Sequence, residues 1–109
     1  MAVLEQVNDK DFKEKVINSS VPVIVDFFAD WCMPCKMIEP SVEQLAQNFA
    51  GKLNVYKVNL DDNPMIAATY HVMSIPTLLI FKNGAPVSSI VGAAPYKVLE
   101  EKVRSVLEE

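Results

Sequence analysis

Two cysteines separated by two residues are the feature of this sequence that could most directly carry chemistry. Cys32 and Cys35 are the two cysteines of the chain, and they lie in the segment Trp31-Cys-Met-Pro-Cys35. Thiols this close in sequence can hold a metal together, close a structural disulfide, or exchange electrons with a disulfide of another protein. The rest of the composition discriminates among these three kinds of chemistry.

A metal centre is a poor explanation, because the chain has too few thiol and imidazole ligands. His71 is its single histidine, so a four-ligand zinc site of cysteines and histidines falls one ligand short. An iron–sulfur cluster held by four cysteines is excluded for the same reason. A structural disulfide is also a weak explanation, since closing so short a loop contributes only about 2 kcal/mol in the loop-entropy model. Redox chemistry of the thiol pair remains.

The position of the pair, just after an apolar run, predicts how the two thiols differ. Val21–Ala29 is rich in β-branched and aromatic residues, as is typical of a strand covered on both faces, and Pro34 suits the first turn of a following helix. The helix N-terminus supplies partial positive charge and free N–H groups, and Met33 could direct its own N–H toward Cys32. The Cys35 thiol can donate a hydrogen bond to the first thiol. We therefore expect the pKa of Cys32 to lie below the free value of about 8.5. Cys35 should be deeper and have a higher pKa, so Cys32 would attack a substrate disulfide and Cys35 would resolve the mixed disulfide.

Asp26 interrupts the same apolar run six residues before Cys32. A surface-facing residue on an edge strand is the alternative, but the apolar flanks on both sides favour burial. A buried carboxyl has a raised pKa and can accept a proton near neutral pH, here the proton of Cys35. Judged by its strand alone, Lys57 is an ordinary solvent-facing lysine, and His71 is a helix-end residue.

The patterns along the chain predict the order β-α-β-α-β-α-β-β-α, which is a mixed α/β sheet with helices on both faces. The predicted strands are Val3–Val7, Val21–Ala29, Leu53–Leu60, Ser74–Phe81 and Ala85–Val91. The predicted helices run from about Asp9 to Asn18 with Asn8 as N-cap, from Pro34 toward Gly51, from Pro64 to near Tyr70, and from Pro95 onward. Pro40 should kink the second helix, Asn83-Gly84 predicts a hairpin, and Pro86 places its strand at an edge.

Length and charge limit the remaining possibilities. The chain of 109 residues is expected to form one domain, and its net charge of −4, without a basic cluster, argues against nucleic acid or an anionic membrane as partner. Its longest apolar stretch is too short to span a bilayer. A secretory signal is not recognisable, which favours the cytoplasm.

Val25–Pro40 and Ser74–Gly84 resemble the two signature segments of the thioredoxin family, and the resemblance extends over nearly the whole chain. It implies the thioredoxin fold, a central mixed five-stranded sheet flanked by four helices, in a single domain over residues 1–109. It also implies a monomeric protein-disulfide reductase that binds no cofactor itself. Its electrons would come from NADPH through a flavoprotein thioredoxin reductase, and its other partners would be disulfide-containing target proteins.

The resemblance also suggests roles for particular residues. Cys32 and Cys35 match the attacking and resolving cysteines, Asp26 the buried carboxylate, and Lys57 the lysine packed beside it. Pro76 matches a cis proline facing the cysteines, although a trans bond is the default for an isolated X–Pro pair. The implied substrate-binding residues are Trp31, Met33, Pro34, Ile75 through its backbone, Pro76, Gly92 and Ala93.

Two departures from the family pattern and two rival functions remain. Met33 replaces the usual glycine between the cysteines and Phe28 replaces the usual tryptophan, which bears on redox potential and reductase docking. A thiol oxidase or disulfide isomerase would run the same chemistry in another direction, but the missing signal counts against it. A binding module with incidental thiols is disfavoured because both cysteines, Asp26 and Pro76 are present.

Overall fold

Five strands form one mixed sheet in the computed structural model, which describes residues 4–108. The strands are β1 (Glu5–Gln6), β2 (Val23–Phe28), β3 (Asn54–Asn59), β4 (Thr77–Lys82) and β5 (Ala85–Val91), and they lie side by side in the order β1-β3-β2-β4-β5. β3 pairs in parallel with β1 and β2, whereas β4 runs antiparallel to β2 and β5. The predicted mixed five-stranded sheet is therefore confirmed; Val3, part of the first predicted strand, lies outside the described residues.

The helices are α1 (Met33–Asn48), α2 (Pro64–Thr69), α3 (Tyr96–Leu107) and a short π-helical segment over Lys13–Ile17. The predicted first helix over Asp9–Asn18 is thus too long and of the wrong type, because the Asn18 N–H donates to the Lys13 carbonyl, five residues back. Asn8 does cap the preceding turn, since its Oδ1 accepts the N–H groups of Lys10 and Asp11 at 2.9 and 3.1 Å.

Both faces of β2 are covered, as the apolar run predicts. All six of its residues are buried. On one face Ile24 packs with buried residues of α1 and α3, and on the other face Val25 and Phe27 pack with Phe12, Val16 and Ile66. Because side chains alternate along a strand, Asp26 shares the α1–α3 face with Ile24. An ionisable side chain is thereby placed directly beneath the helix that carries the cysteines.

Proline and the hairpin turn set the boundaries of the last two strands. β4 begins at Thr77, not at Ser74, because Pro76 has no N–H to donate to a neighbouring strand. The turn at Asn83 and Gly84 has positive φ at both residues (54° and 82°), as the Asn-Gly pair predicts. β5 is an edge strand, and its pairing shifts by one residue next to Pro86, which fits the preference of proline for edges and bulges.

Candidate active site

The two cysteines lie where β2 turns into α1. Cys32 is the N-cap of α1, and its Sγ accepts the backbone N–H of Cys35 at 3.2 Å, while Pro34 occupies the first turn. Cys32 therefore receives the positive end of the helix dipole and one of the N–H groups that the first turn leaves unpaired. The predicted strand–helix junction is confirmed. The N–H that donates to Cys32 is that of Cys35, however, and not that of Met33.

Cys32 and Cys35 form a disulfide in this structure. Both residues are buried to nearly the same extent, with 3% of Cys32 and 4% of Cys35 exposed. The expectation that Cys35 lies deeper is thus wrong for the oxidised form, because the bond ties both sulfurs to the same apolar cluster with Phe28 and Ala29. What distinguishes the two sulfurs is the hydrogen bond to Cys32 at the helix start.

An exposed apolar surface adjoins the disulfide. Trp31 and Met33, which flank Cys32 in sequence, are 67% and 65% exposed, and the partly buried Ile75 packs against the cysteine cluster. The Ile75–Pro76 peptide bond is cis, and the Pro76 carbonyl accepts the N–H of Gly92 at 2.8 Å. Three separate stretches of the chain therefore meet beside the cysteines.

The remaining two residues of the predicted surface are accessible as well. Pro34 is exposed in the first turn of α1, and Ala93 is exposed after Gly92, which itself is half-buried. We expect that a docking protein would reach them together with Trp31 and Met33, because large exposed apolar side chains commonly mark an interaction surface.

Asp26 is almost completely buried, with 1% of its surface exposed, and its Oδ1 has no hydrogen-bond partner among residues 4–108. The pKa of Asp26 is raised from 3.8 to about 7. Burial is the main cause of the rise; the nearby Lys57 charge opposes it and the Glu39 charge adds to it. Asp26 and Cys35 line one cavity of about 90 Å³. The predicted buried carboxyl is confirmed, and the cavity connects it to the second cysteine.

Lys57 is not the solvent-facing lysine that its own strand suggests. It is the cross-strand neighbour of Asp26 on β3, and its side chain is only 12% exposed. Its ammonium lies 4.1 Å from the centroid of the Phe28 ring and 3.1 Å from Glu39 Oε1. The placement beside Asp26 that the family resemblance implies is the one found.

Comparison with known proteins agrees with this arrangement. The family model described as Thioredoxin matches residues 3–105 of the chain. Thioredoxin 1 of Nostoc sp. is 48% identical over 107 residues, covering 98% of this chain and 100% of the relative. The chain belongs to the thioredoxin family. Thioredoxin of Porphyra purpurea is 46% identical over 104 residues (95% of this chain, 97% of the relative), and the M-type chloroplastic thioredoxin of Spinacia oleracea is 48% identical over 104 residues (95% and 58%).

As a member of the thioredoxin family, this chain is a thiol–disulfide oxidoreductase with a redox-active pair, Cys32 and Cys35, that supports protein-disulfide reduction by dithiol–disulfide exchange. No cluster of three or more potential metal-ligating His, Cys, Asp or Glu side chains occurs within residues 4–108. Within the same range, no helix combines the length and apolar character needed to cross a bilayer.

Sequence reasoning missed two residues that this thioredoxin-family site contains. Glu39 pairs with Lys57, and its spacing of four residues from Cys35 on α1, one helical turn, was a usable signal. Asp61 accepts the indole N–H of Trp31 at 2.9 Å. Asp61 follows β3, whose end adjoins the end of the parallel strand β2. The predicted element order did not say which strands are neighbours, so it gave no signal for Asp61.

Replacing Met33 by glycine is expected to weaken the interaction with a reductase. Met33 is the first residue of α1 and is mostly exposed, so the change removes apolar contact area and loosens the turn between the cysteines. Losing about 1 kcal/mol of apolar contact corresponds to a roughly fivefold rise in the KM of the reductase for this protein. The looser turn should shift the redox potential of the Cys32–Cys35 pair by up to about 30 mV. Steady-state kinetics and glutathione equilibration measure the two quantities.

Met65→Gly is the matched control for this substitution. Met65 is 70% exposed and also lies in the first turn of a helix, α2, but it does not neighbour the cysteines in sequence. Unchanged potential and kinetics in Met33→Gly would show that the Met33 side chain contributes to neither.

Proposed function

We propose that this protein reduces disulfides of target proteins with Cys32 as the attacking and Cys35 as the resolving residue. The observation that carries the proposal is the position of Cys32 at the N-cap of α1, where its Sγ accepts an N–H, beside an exposed apolar surface. Groups at a helix N-terminus are stabilised as anions, and the thiolate is the form that attacks a disulfide. Cys35 has no such cap position.

The reaction follows as two exchanges. The Cys32 thiolate attacks one sulfur of the target disulfide, which forms a mixed disulfide and releases the first target thiolate. Cys35 then transfers its proton to Asp26 across the shared cavity, and the resulting thiolate attacks Cys32 Sγ. The mixed disulfide breaks, the second target thiolate leaves, and the target has gained the two electrons that the cysteine pair has lost. Lys57 acts on Asp26 by its charge and does not touch the sulfurs in this scheme.

The surface around the cysteines serves for docking in this proposal. Trp31, Met33, Pro34, Gly92 and Ala93 would contact the target side chains, while the backbone of Ile75 next to Pro76 would pair with the extended target chain. Main-chain pairing of this kind gives affinity without requiring a particular target sequence.

Reducing the Cys32–Cys35 disulfide again requires two electrons per cycle, and we propose that an NADPH-dependent flavoprotein thioredoxin reductase supplies them. We also propose that the protein acts as a monomer, with a single thioredoxin domain over residues 1–109. A cytoplasmic location stays a prediction, since relatives from spinach and pea are named chloroplastic. Fractionation of the source cells tests the location, and gel filtration tests the monomer.

Insulin reduction with dithiothreitol as electron source tests the proposed direction of the reaction. The protein is expected to accelerate precipitation of the reduced insulin chains, and Cys32→Ser is expected to abolish the acceleration. Equilibration of the Cys32–Cys35 pair with glutathione separates the reductase from an oxidase or isomerase. A potential well above that of the glutathione pool would favour the oxidising direction, and no acceleration by the unmodified protein would favour a binding module.

A further inference from the structure

Glu39 holds one end of an ion pair beside the cavity that Asp26 and Cys35 share. Glu39 lies on α1, one helical turn beyond Cys35, and its Oε1 is 3.1 Å from Nζ of Lys57. The Lys57 side chain is 12% exposed and that of Glu39 is 38% exposed. The pair therefore links a largely covered ammonium to a carboxylate that is more exposed to solvent.

The register of the sheet would allow Lys57 to pair with Asp26 instead. The two residues are direct cross-strand neighbours on β2 and β3. The Lys57 ammonium is nevertheless engaged by Glu39 and by the face of the Phe28 ring, and Asp26 Oδ1 has no hydrogen-bond partner in the described part of the chain. The cation that faces Asp26 is thus neutralised by a different carboxylate.

The charges around the cavity are balanced only if Glu39 is included. Besides Asp26, the charged side chains lining it are Asp30 after β2, Lys36 and Glu39 from α1, and Lys57 from β3. Neither β4 nor α3 adds a charged group to the lining, within residues 4–108, and the neighbour of Asp26 on β4 is Leu78. Cys35 also lines the cavity and carries a thiol only in the reduced protein. Without the Glu39 charge, the surroundings of Asp26 would carry net positive charge.

We propose that Glu39 is a positioning residue for the resolving step: it holds the Lys57 ammonium and balances its charge, so that Asp26 stays without a cationic partner and accepts the Cys35 proton at neutral pH. The inference deepens the proposed function, since it rests on Asp26 being the acceptor. In the step itself, the proton moves from Cys35 Sγ to the Asp26 carboxylate, and the thiolate then breaks the mixed disulfide at Cys32. Electrons flow only between sulfurs.

The test is the Glu39→Gln variant, which keeps the size of the side chain and removes its charge. Titration of the Asp26 carboxyl, followed by carbon-13 NMR of the oxidised protein, is expected to shift downward by about one pH unit, because Lys57 is freed to stabilise the carboxylate. The single-turnover rate of mixed-disulfide resolution is expected to shift its pH midpoint in the same direction. Its plateau should fall severalfold, because a more acidic group is a weaker base.

Glu43→Gln is the matched control, since Glu43 lies one turn further along α1, carries the same charge and does not line the cavity. Glu43→Gln should leave both midpoints in place. Glu39→Asp keeps the negative charge, so its midpoints should lie close to those of the unmodified protein. An unmoved Asp26 titration in Glu39→Gln, or an equal shift in Glu43→Gln, would overturn the proposal. A shifted titration with an unshifted rate profile would overturn it as well.

The NMR titration reports on the Asp26 carboxyl whether or not the protein turns over. Its outcome is therefore independent of the role of Asp26 as proton acceptor, which is tested by the activity of Asp26→Ala. Full activity of that variant would remove the proposed role of Asp26 and leave the Glu39 effect on the titration as a separate result.

Discussion

The Cys35→Ser variant is expected to stop after the first exchange and to accumulate one mixed disulfide per molecule, whereas Cys32→Ser is expected to accumulate none. Cys32 keeps its position at the N-cap of α1 in Cys35→Ser, so it can still attack a disulfide, but no second thiol remains to break the product. Multiple-turnover reduction of insulin should fall to the uncatalysed rate in both variants. The products of a single turnover should differ, because only Cys35→Ser should carry a mixed disulfide.

A chromogenic aromatic disulfide and mass spectrometry measure this difference. Cys35→Ser should release one equivalent of the aromatic thiol and gain the mass of the other half, while Cys32→Ser should release no more thiol than the blank. The double variant with serine at both positions is the blank. Equal trapping by the two single variants would show that the roles assigned to Cys32 and Cys35 are wrong.

The unmodified protein is expected to lose stability as pH rises from about 4 to about 7, and Asp26→Ala is expected to remove this loss. The pKa of Asp26 is raised from 3.8 to about 7 in the folded protein, mainly by desolvation. Between these values the unfolded chain has lost the proton that the folded protein still holds, so the free energy of unfolding falls as pH rises. The stabilising effect of the bound proton is fully present below pH 3.8 and is lost once pH has risen through 7. The total loss is about 4 kcal/mol.

Urea unfolding of the oxidised protein at pH 3.5 and pH 8 measures the effect. The stability of Asp26→Ala relative to the unmodified protein should rise by about 4 kcal/mol from the lower to the higher pH. Asp30→Ala is the control, because Asp30 lines the same cavity but is exposed. A pH dependence in Asp26→Ala that equals that of the unmodified protein would show that the Asp26 carboxyl ionises freely when folded.

The same variant should resolve mixed disulfides slowly near neutral pH, by a factor on the order of 10² if Asp26 acts as general base. A stopped-flow measurement of resolution isolates this step from target binding. Unchanged resolution together with the stability gain would leave Asp26 as a buried residue without a role in proton transfer.

Local patterns were sufficient for most of the secondary structure. The apolar run around Asp26 predicts a doubly covered strand, Asn83-Gly84 predicts a hairpin with positive φ, and Pro86 predicts an edge, and the structure has all three. Each of these signals comes from the backbone preferences of a residue and from its immediate neighbours in sequence, so no tertiary contact is needed to recognise it. Pro40 lies within α1 as predicted, and the helix continues past it to Asn48. The prediction of an α-helix over Asp9–Asn18 is wrong, because a π-helical segment as short as Lys13–Ile17 has no distinctive side-chain spacing.

The sequence alone determined three features of the site: the cysteine pair, its position at a strand–helix junction and the buried carboxyl of Asp26. Each of them follows from residues adjacent along the chain. The surroundings of that carboxyl were decided by the tertiary structure. Lys57 faces Asp26 only because β3 is parallel to β2 in one particular register, and Glu39 reaches Lys57 only because α1 crosses that face of the sheet. The spacing of Glu39 from Cys35 places it on the same side of α1, but whether it pairs with Lys57 depends on how α1 packs on the sheet. The partner of a buried charge is therefore decided by the packing of separate elements.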